Sequence, residues 1–150
     1  MTDGLAFEDF RVGDIHALAS YQVDEAEMIA FAQRYDTADI HTDPVAAQAT
    51  PFGGLIASGW LTTAIFMRMQ LEGYMRGSTS LVSPGVDEIR WLKPVRPGDT
   101  LGGTNQIEAV EPSSSRPDRG TVFSRVTVNN QHGETVMTLV TRVIYMRRSA

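Results

Sequence analysis

The sequence predicts an α+β domain in which a curved antiparallel sheet wraps around one long central helix. Three observations carry this expectation. The segment Leu55 to Tyr74 is apolar or small nearly all round until Arg68, and a helix without a polar face is one enclosed by other structure. The second half of the chain changes to period-2 alternation, the mark of half-buried strands. One early strand, then helices, then at least four strands is an α+β order, unlike the alternating units of a parallel sheet.

Each element follows from its residues. Asp14–Gln22 reads as the early strand. A helix from Asp24 to Tyr35 opens with Asp24 three residues before Glu27, a capping-box-like start, and Met28, Phe31, Ala32 and Tyr35 form its apolar stripe. The polar turn Asp36–His41 follows, then a short helix after Asp43-Pro44, a cap with proline at the first helical position. Pro51-Phe52-Gly53-Gly54 breaks the chain before the central helix. Val86–Leu92 and Thr100–Val110 supply two strands. In Thr121–Asn129, Val122, Val126 and Val128 share a face; in Thr135–Tyr145, Met137, Leu139, Val143 and Tyr145 do. The turn composition of Asn129–Gly133 makes these two a hairpin, while Glu111–Gly120 reads as a long hairpin connection.

Composition narrows the function classes. At 150 residues with 42% hydrophobic and 21% charged residues, residues 1–150 make one globular domain that needs no staples. There is no cysteine, which removes disulfide scaffolds, thiol nucleophiles and cysteine-ligated metals together. The net charge of −5 gives no field that recruits nucleic acid. Met1–Phe10 lacks the basic and apolar regions of a signal peptide, and Leu55–Met67 falls short of the roughly 20 residues that span a bilayer. The expectation is a cytoplasmic protein with no membrane or nucleic-acid partner.

Two constellations carry chemistry. Asp36 and His41 flank one turn, where a carboxylate can orient an imidazole and the pair can hold and deprotonate a water. Spacing alone favours plainer roles, a turn cap and a structural histidine. The second constellation is the start of the central helix, Gly53-Gly54-Leu-Ile-Ala-Ser58-Gly59. Its first N–H groups have no partner within the helix and would favour an oxyanion; Gly59, lacking a side chain, would let a carbonyl oxygen approach. The plainer role for Gly59 is close helix packing.

At these residues the chain resembles a known family. Phe31–Trp60, FAQRYDTADIHTDPVAAQATPFGGLIASGW, closely resembles the signature of the MaoC-like dehydratases and R-specific enoyl-CoA hydratases. Phe7–Asp14 and Trp91–Leu101 also look like that family, so three motifs occur in order across about residues 7–145. The resemblance implies a hot-dog fold, an active site at a homodimer interface (or in a dimer-based higher oligomer), an acyl-CoA substrate and no cofactor. It implies that Asp36 and His41 are catalytic and that Gly59, eighteen residues beyond His41, binds the thioester oxygen. Ser58, Phe52 and Gly54 join Gly59 as candidate oxyanion or substrate-binding residues. Three departures stand out. Thr37-Ala38-Asp39 replaces a frequent Asn-Pro, Ser58 precedes the helix glycine in place of the common histidine, and Met67 stands where some R-hydratases carry a serine that steadies the aspartate.

The implied reaction is reversible addition of water to the double bond of a 2-enoyl thioester, giving a 3-hydroxyacyl-CoA. Its rivals are a hot-dog acyl-CoA thioesterase and a non-catalytic acyl-CoA-binding partner subunit. His41-Thr-Asp43 with His132 has the sequence form of an iron triad, but the spacing is wide and an apolar central helix has no place in such oxygenases. Ser58 does not sit in G-x-S-x-G, so a serine hydrolase is disfavoured. Arg90, Lys93, Arg96, Arg147 and Arg148 are the local cations that CoA phosphates could use.

Overall fold

Asp24 and Asp43 each start a helix by accepting the N–H groups that a first turn leaves unpaired. The computed structural model describes residues 4–149, and in it Asp24 accepts the Glu27 N–H to open α1 (Glu25–Tyr35). Glu27 does not complete a capping box; its carboxylate takes the Tyr21 hydroxyl instead. Asp43 accepts from the Val45 and Ala46 N–H groups and starts α3 (Pro44–Gln48). Between them the polar turn contains a single helical turn, α2 (Asp39–Thr42). The stripe of α1 is buried at Met28 and Ala32 and partly at Phe31, but Tyr35 is exposed. Tyr35 ends the helix, where the chain turns away at Asp36 and leaves its ring against Phe31.

The central helix α4 spans Gly59–Gln70 and runs on through a wider turn at Leu71–Met75, whose closing bond joins the Arg76 N–H to the Leu71 carbonyl. It starts four residues later than its apolar run. The Ile56 N–H bonds the Ile40 carbonyl and the Ala57 N–H bonds Val95, which holds these residues extended until Ser58 caps the helix. Enclosure is one-sided. Leu61, Ile65, Phe66 and Met69 are buried, whereas Trp60, Ala64, Met67 and Leu71 form an exposed stripe, Trp60 at 59%. The chain's own sheet thus covers only part of this apolar helix.

The strands are β1 (Ile15–Ala17), β2 (Tyr21–Gln22), β3 (Gly85–Trp91), β4 (Thr100–Pro112), β5 (Arg119–Asn129) and β6 (Thr135–Met146). All pairings are antiparallel in the order β1-β4-β5-β6-β3, with β2 also on β4. The predicted strand Asp14–Gln22 is split because the Leu18 N–H turns to Gly103 and the Ala19 N–H crosses to Met69 on α4. The predicted Glu111–Gly120 connection shrinks to residues 113–118, since Glu111 still pairs with Thr121 and Pro112 with Gly120. Register shifts at Ile107/Ala109 and Val86/Glu88 bend the sheet as bulges do.

The larger core fills the space between α4 and the sheet, with Leu61, Ile65, Phe66 and Met69 against Leu101, Val126, Val128, Met137 and Leu139. Fully burying such side chains contributes about 1.5–3 kcal/mol each. A smaller cluster of Phe7, Phe10, Met75, Ile107, Val122 and Tyr145 closes the other end. This is the α+β architecture that the sequence predicts, a curved antiparallel sheet packed on one long helix, as the resemblance also implies. Among the described residues no helix is long and apolar enough to cross a membrane.

Candidate active site

Asp36 sits where α1 gives out, its N–H still bonded to Ala32 while its own backbone has left the helix. The turn of α2 then brings His41 back beside it, with Nε2 3.4 Å from Asp36 Oδ2. The other ring nitrogen, Nδ1, is 2.8 Å from the Ile56 carbonyl. A carbonyl only accepts, so Nδ1 carries the hydrogen and the neutral ring presents a lone pair on Nε2 toward the carboxylate. Two such acceptors do not bond each other, but both can accept from one water; a protonated ring would pair with the carboxylate directly. The side chains are 12% (His41) and 33% (Asp36) exposed, so the pair lies at the edge of the protein and within reach of water.

Ser58 turns its side chain to this pair. Its hydroxyl donates to Asp36 Oδ2 at 2.7 Å and accepts the Trp60 N–H at 3.3 Å. Gly59 follows as the first residue of α4, where an N–H has no partner inside the helix. The side-chain face of Gly59 is covered by Trp91, whose Cε2 would lie 2.5 Å from an added Cβ. Both readings of Gly59 therefore meet at one residue: close packing and an open N–H.

A cavity of about 290 Å³ is lined by His41, Phe52, Gly59, Thr62, Trp91 and Val136, among others. Of the predicted substrate-side residues, Phe52 and Gly59 line it. Ser58 points to Asp36 instead, and Gly54 lies against the Arg96 guanidinium. Asp36 is not among the lining residues but lies 3.4 Å from His41, which is. Nothing in the sequence points to Thr62 or Val136, which reach the cavity from α4 and from β6 with no local spacing to link them.

The cations are largely engaged. Lys93 lines the cavity but pairs with Glu134, whose carboxyl its bond holds below the usual carboxylate range. Arg90 pairs with Glu88, Arg148 with Asp9, and Arg96 donates to the Phe52 carbonyl at the cavity rim. Asp43 caps α3 and His132 occupies the β5–β6 hairpin. Among the described residues no three His, Asp or Glu side chains converge as a metal site.

Comparison with known proteins places this geometry in context. The sequence profile of the MaoC like domain matches residues 13–130. The crystal structure of a MaoC-like dehydratase from Rhodospirillum rubrum is 39% identical, superposes with a TM-score of 0.91, and covers 98% of this chain and 100% of that one. The 3-hydroxyacyl-thioester dehydratase Z of Mycobacterium tuberculosis is 29% identical over 127 residues, 78% of this chain and 84% of that protein. An (R)-hydratase from A. caviae, described as involved in PHA biosynthesis, is 25% identical with a TM-score of 0.66, covering 93% and 98% of the two chains.

Proposed function

The chain belongs to the MaoC-like domain family, and from that premise we propose that it is a hydro-lyase acting on acyl-CoA thioesters. It adds water reversibly across the double bond of a 2-enoyl thioester to give a 3-hydroxyacyl-CoA. The observation that carries this reading is the Asp36–His41 pair, its imidazole tautomer fixed by Ile56, beside a cavity that Gly59 also lines.

In the hydration direction the water sits between Asp36 and His41 Nε2. The pair takes one proton as the water oxygen bonds the β-carbon, and electrons of the double bond move toward the thioester oxygen. The Gly59 N–H stabilises that enolate, an effect of about 2.7–4 kcal/mol per donor in comparable sites. The proton then goes to the α-carbon, which balances the addition, and dehydration retraces the steps. Carboxylate, imidazole and N–H suffice, so the reading requires no cofactor.

The test is hydration of crotonyl-, octenoyl- and branched enoyl-CoAs by the purified chain, followed as loss of the enoyl-thioester absorbance. Turnover of at least one is the expected result. Release of free thiol from saturated acyl-CoAs would make the protein a thioesterase, and acyl-CoA affinity without turnover a binding subunit.

A homodimer belongs to the same proposal. The bare stripe of α4 meets the free edge of the sheet: Met67 and Leu71 share an apolar groove with Leu81, Val82 and Val86, and Trp60 packs edge-on against Trp91. In the described residues β3 pairs with β6 on one side alone, and an exposed edge beside apolar surface invites a second copy. Val86 is 45% exposed on that strand. Val86→Lys is expected to shift sedimentation from dimer to monomer and to lower activity with it. A parent chain that sediments as a fully active monomer would remove the dimer from the proposal.

A further inference from the structure

We propose that Ser58 is the positioning residue for Asp36, and that the four-residue segment Ile56–Gly59 sets the whole reacting geometry. This rests on the hydro-lyase reading above. Ser58 is 1% exposed, and its Oγ lies 2.7 Å from Asp36 Oδ2 across 22 residues of sequence. The Trp60 N–H can only donate, so the single hydroxyl hydrogen goes to the carboxylate. A hydrogen bond of that length to an ionised oxygen is charge-assisted and of the stronger kind.

Nothing else among the described residues fixes that carboxylate. Its other neighbour is His41 Nε2 at 3.4 Å, which carries no hydrogen in the neutral ring. No hydrogen bond among the described residues involves Oδ1. Ser58 thus occupies one carboxylate oxygen and turns the other free for water. Asp36 is one-third exposed at a helix end, so without the serine its side chain is free to rotate toward solvent.

The same segment holds the rest of the site. The Ile56 carbonyl takes His41 Nδ1, Ser58 takes Asp36, and the next residue supplies the Gly59 N–H. The segment is itself tied down, Ile56 to Ile40 and Ala57 to Val95. Base, carboxylate and oxyanion donor are referenced to one short, immobilised stretch of backbone. Met67, at the place where some relatives carry an aspartate-steadying serine, is instead on the exposed stripe of α4 and accepts from Gln70.

The test uses three variants of the full chain. Ser58→Ala removes both the hydroxyl and the helix cap. Ser58→Gly removes the hydroxyl but caps almost as well as serine. Ser58→Thr retains both. Ala and Gly are expected to lower kcat about 10- to 100-fold, the usual scale for an orienting partner behind a reacting group, with KM changed no more than a few-fold. Thr is expected to retain most of kcat. On an Asp36→Asn background Ser58→Gly should cost nothing further. A crystal structure of Ser58→Gly supplies a readout independent of turnover: the Asp36 carboxylate is expected to leave its position while His41 and the start of α4 stay. Unchanged kcat in Ser58→Gly, or an unmoved Asp36 in its structure, overturns the proposal. A parent chain that hydrates no enoyl-CoA overturns the hydro-lyase reading, and the crystal structure still decides what Ser58 holds.

Discussion

His41→Ala lowers kcat for enoyl-CoA hydration by about 10²–10⁴-fold, the range in which a positioned general acid–base group contributes. The side chain does two things that alanine cannot: it offers the Nε2 lone pair to water, and its Nδ1–H fixes which nitrogen bears that pair. The loss should be mostly in kcat, because the imidazole forms only part of a wall otherwise made by Phe52, Trp91, Leu92 and Val136. Stability changes less. The bond to Ile56 is one hydrogen bond at a half-buried site, worth about 1 kcal/mol. Asp36→Asn is the complementary test. It preserves shape and the acceptor for Ser58, but its amide can donate to Nε2 and so block the lone pair that the neutral ring presents. Both variants are measured by enoyl-CoA absorbance, with circular dichroism to verify the fold. Wild-type turnover in either, folded and free of parent enzyme, removes the pair from the mechanism.

That Asp36 and His41 lie side by side was legible in the sequence because the signal is local, one helix end and one short turn, whereas their chemical role rested on the family resemblance. The caps at Asp24 and Asp43 were legible for the same reason, since the side chain that starts each helix bonds a residue two or three positions away. The start of α4 was not. Leu55–Ala57 are as apolar as the helix they precede, and what holds them extended is a pair of bonds to distant backbone, Ile56 to Ile40 and Ala57 to Val95. Ser58 likewise reads as a residue of the oxyanion turn until its partner 22 residues upstream is seen. The exposed stripe of α4 has a different cause. Apolarity all round reports that a helix suits enclosure, but not by which chain, and here the protein's own sheet leaves the Trp60, Met67 and Leu71 stripe exposed.

Gly59→Ala should damage both stability and turnover, against the direction that helix propensity predicts. Alanine is the better helix former by about 1 kcal/mol, and the backbone here is not in the left-handed region, so conformation alone favours the substitution. Packing reverses the sign. The new Cβ would stand 2.5, 2.7 and 2.8 Å from three atoms of the Trp91 indole, well inside ordinary contact distance. The indole is flat and rigid, so relief requires the whole ring to move. It is held by Thr63, which accepts from its Nε1 at 3.4 Å, and by the edge of Trp60, with ring centroids 5.1 Å apart. Overpacking of this kind costs about 1–3 kcal/mol. Because Trp91 and Gly59 line the same cavity, moving the ring or the first turn of α4 also displaces the N–H proposed above to stabilise the enolate. Loss of one such donor lowers kcat about 10²–10³-fold. The double variant Gly59→Ala/Trp91→Ala separates the two effects. Removing the indole should restore the thermal midpoint toward that of Trp91→Ala alone, while kcat recovers only as far as the N–H returns to place. A single Gly59→Ala variant with parental midpoint and parental kcat would show that the indole yields freely, and that the absent side chain serves neither packing nor the oxyanion.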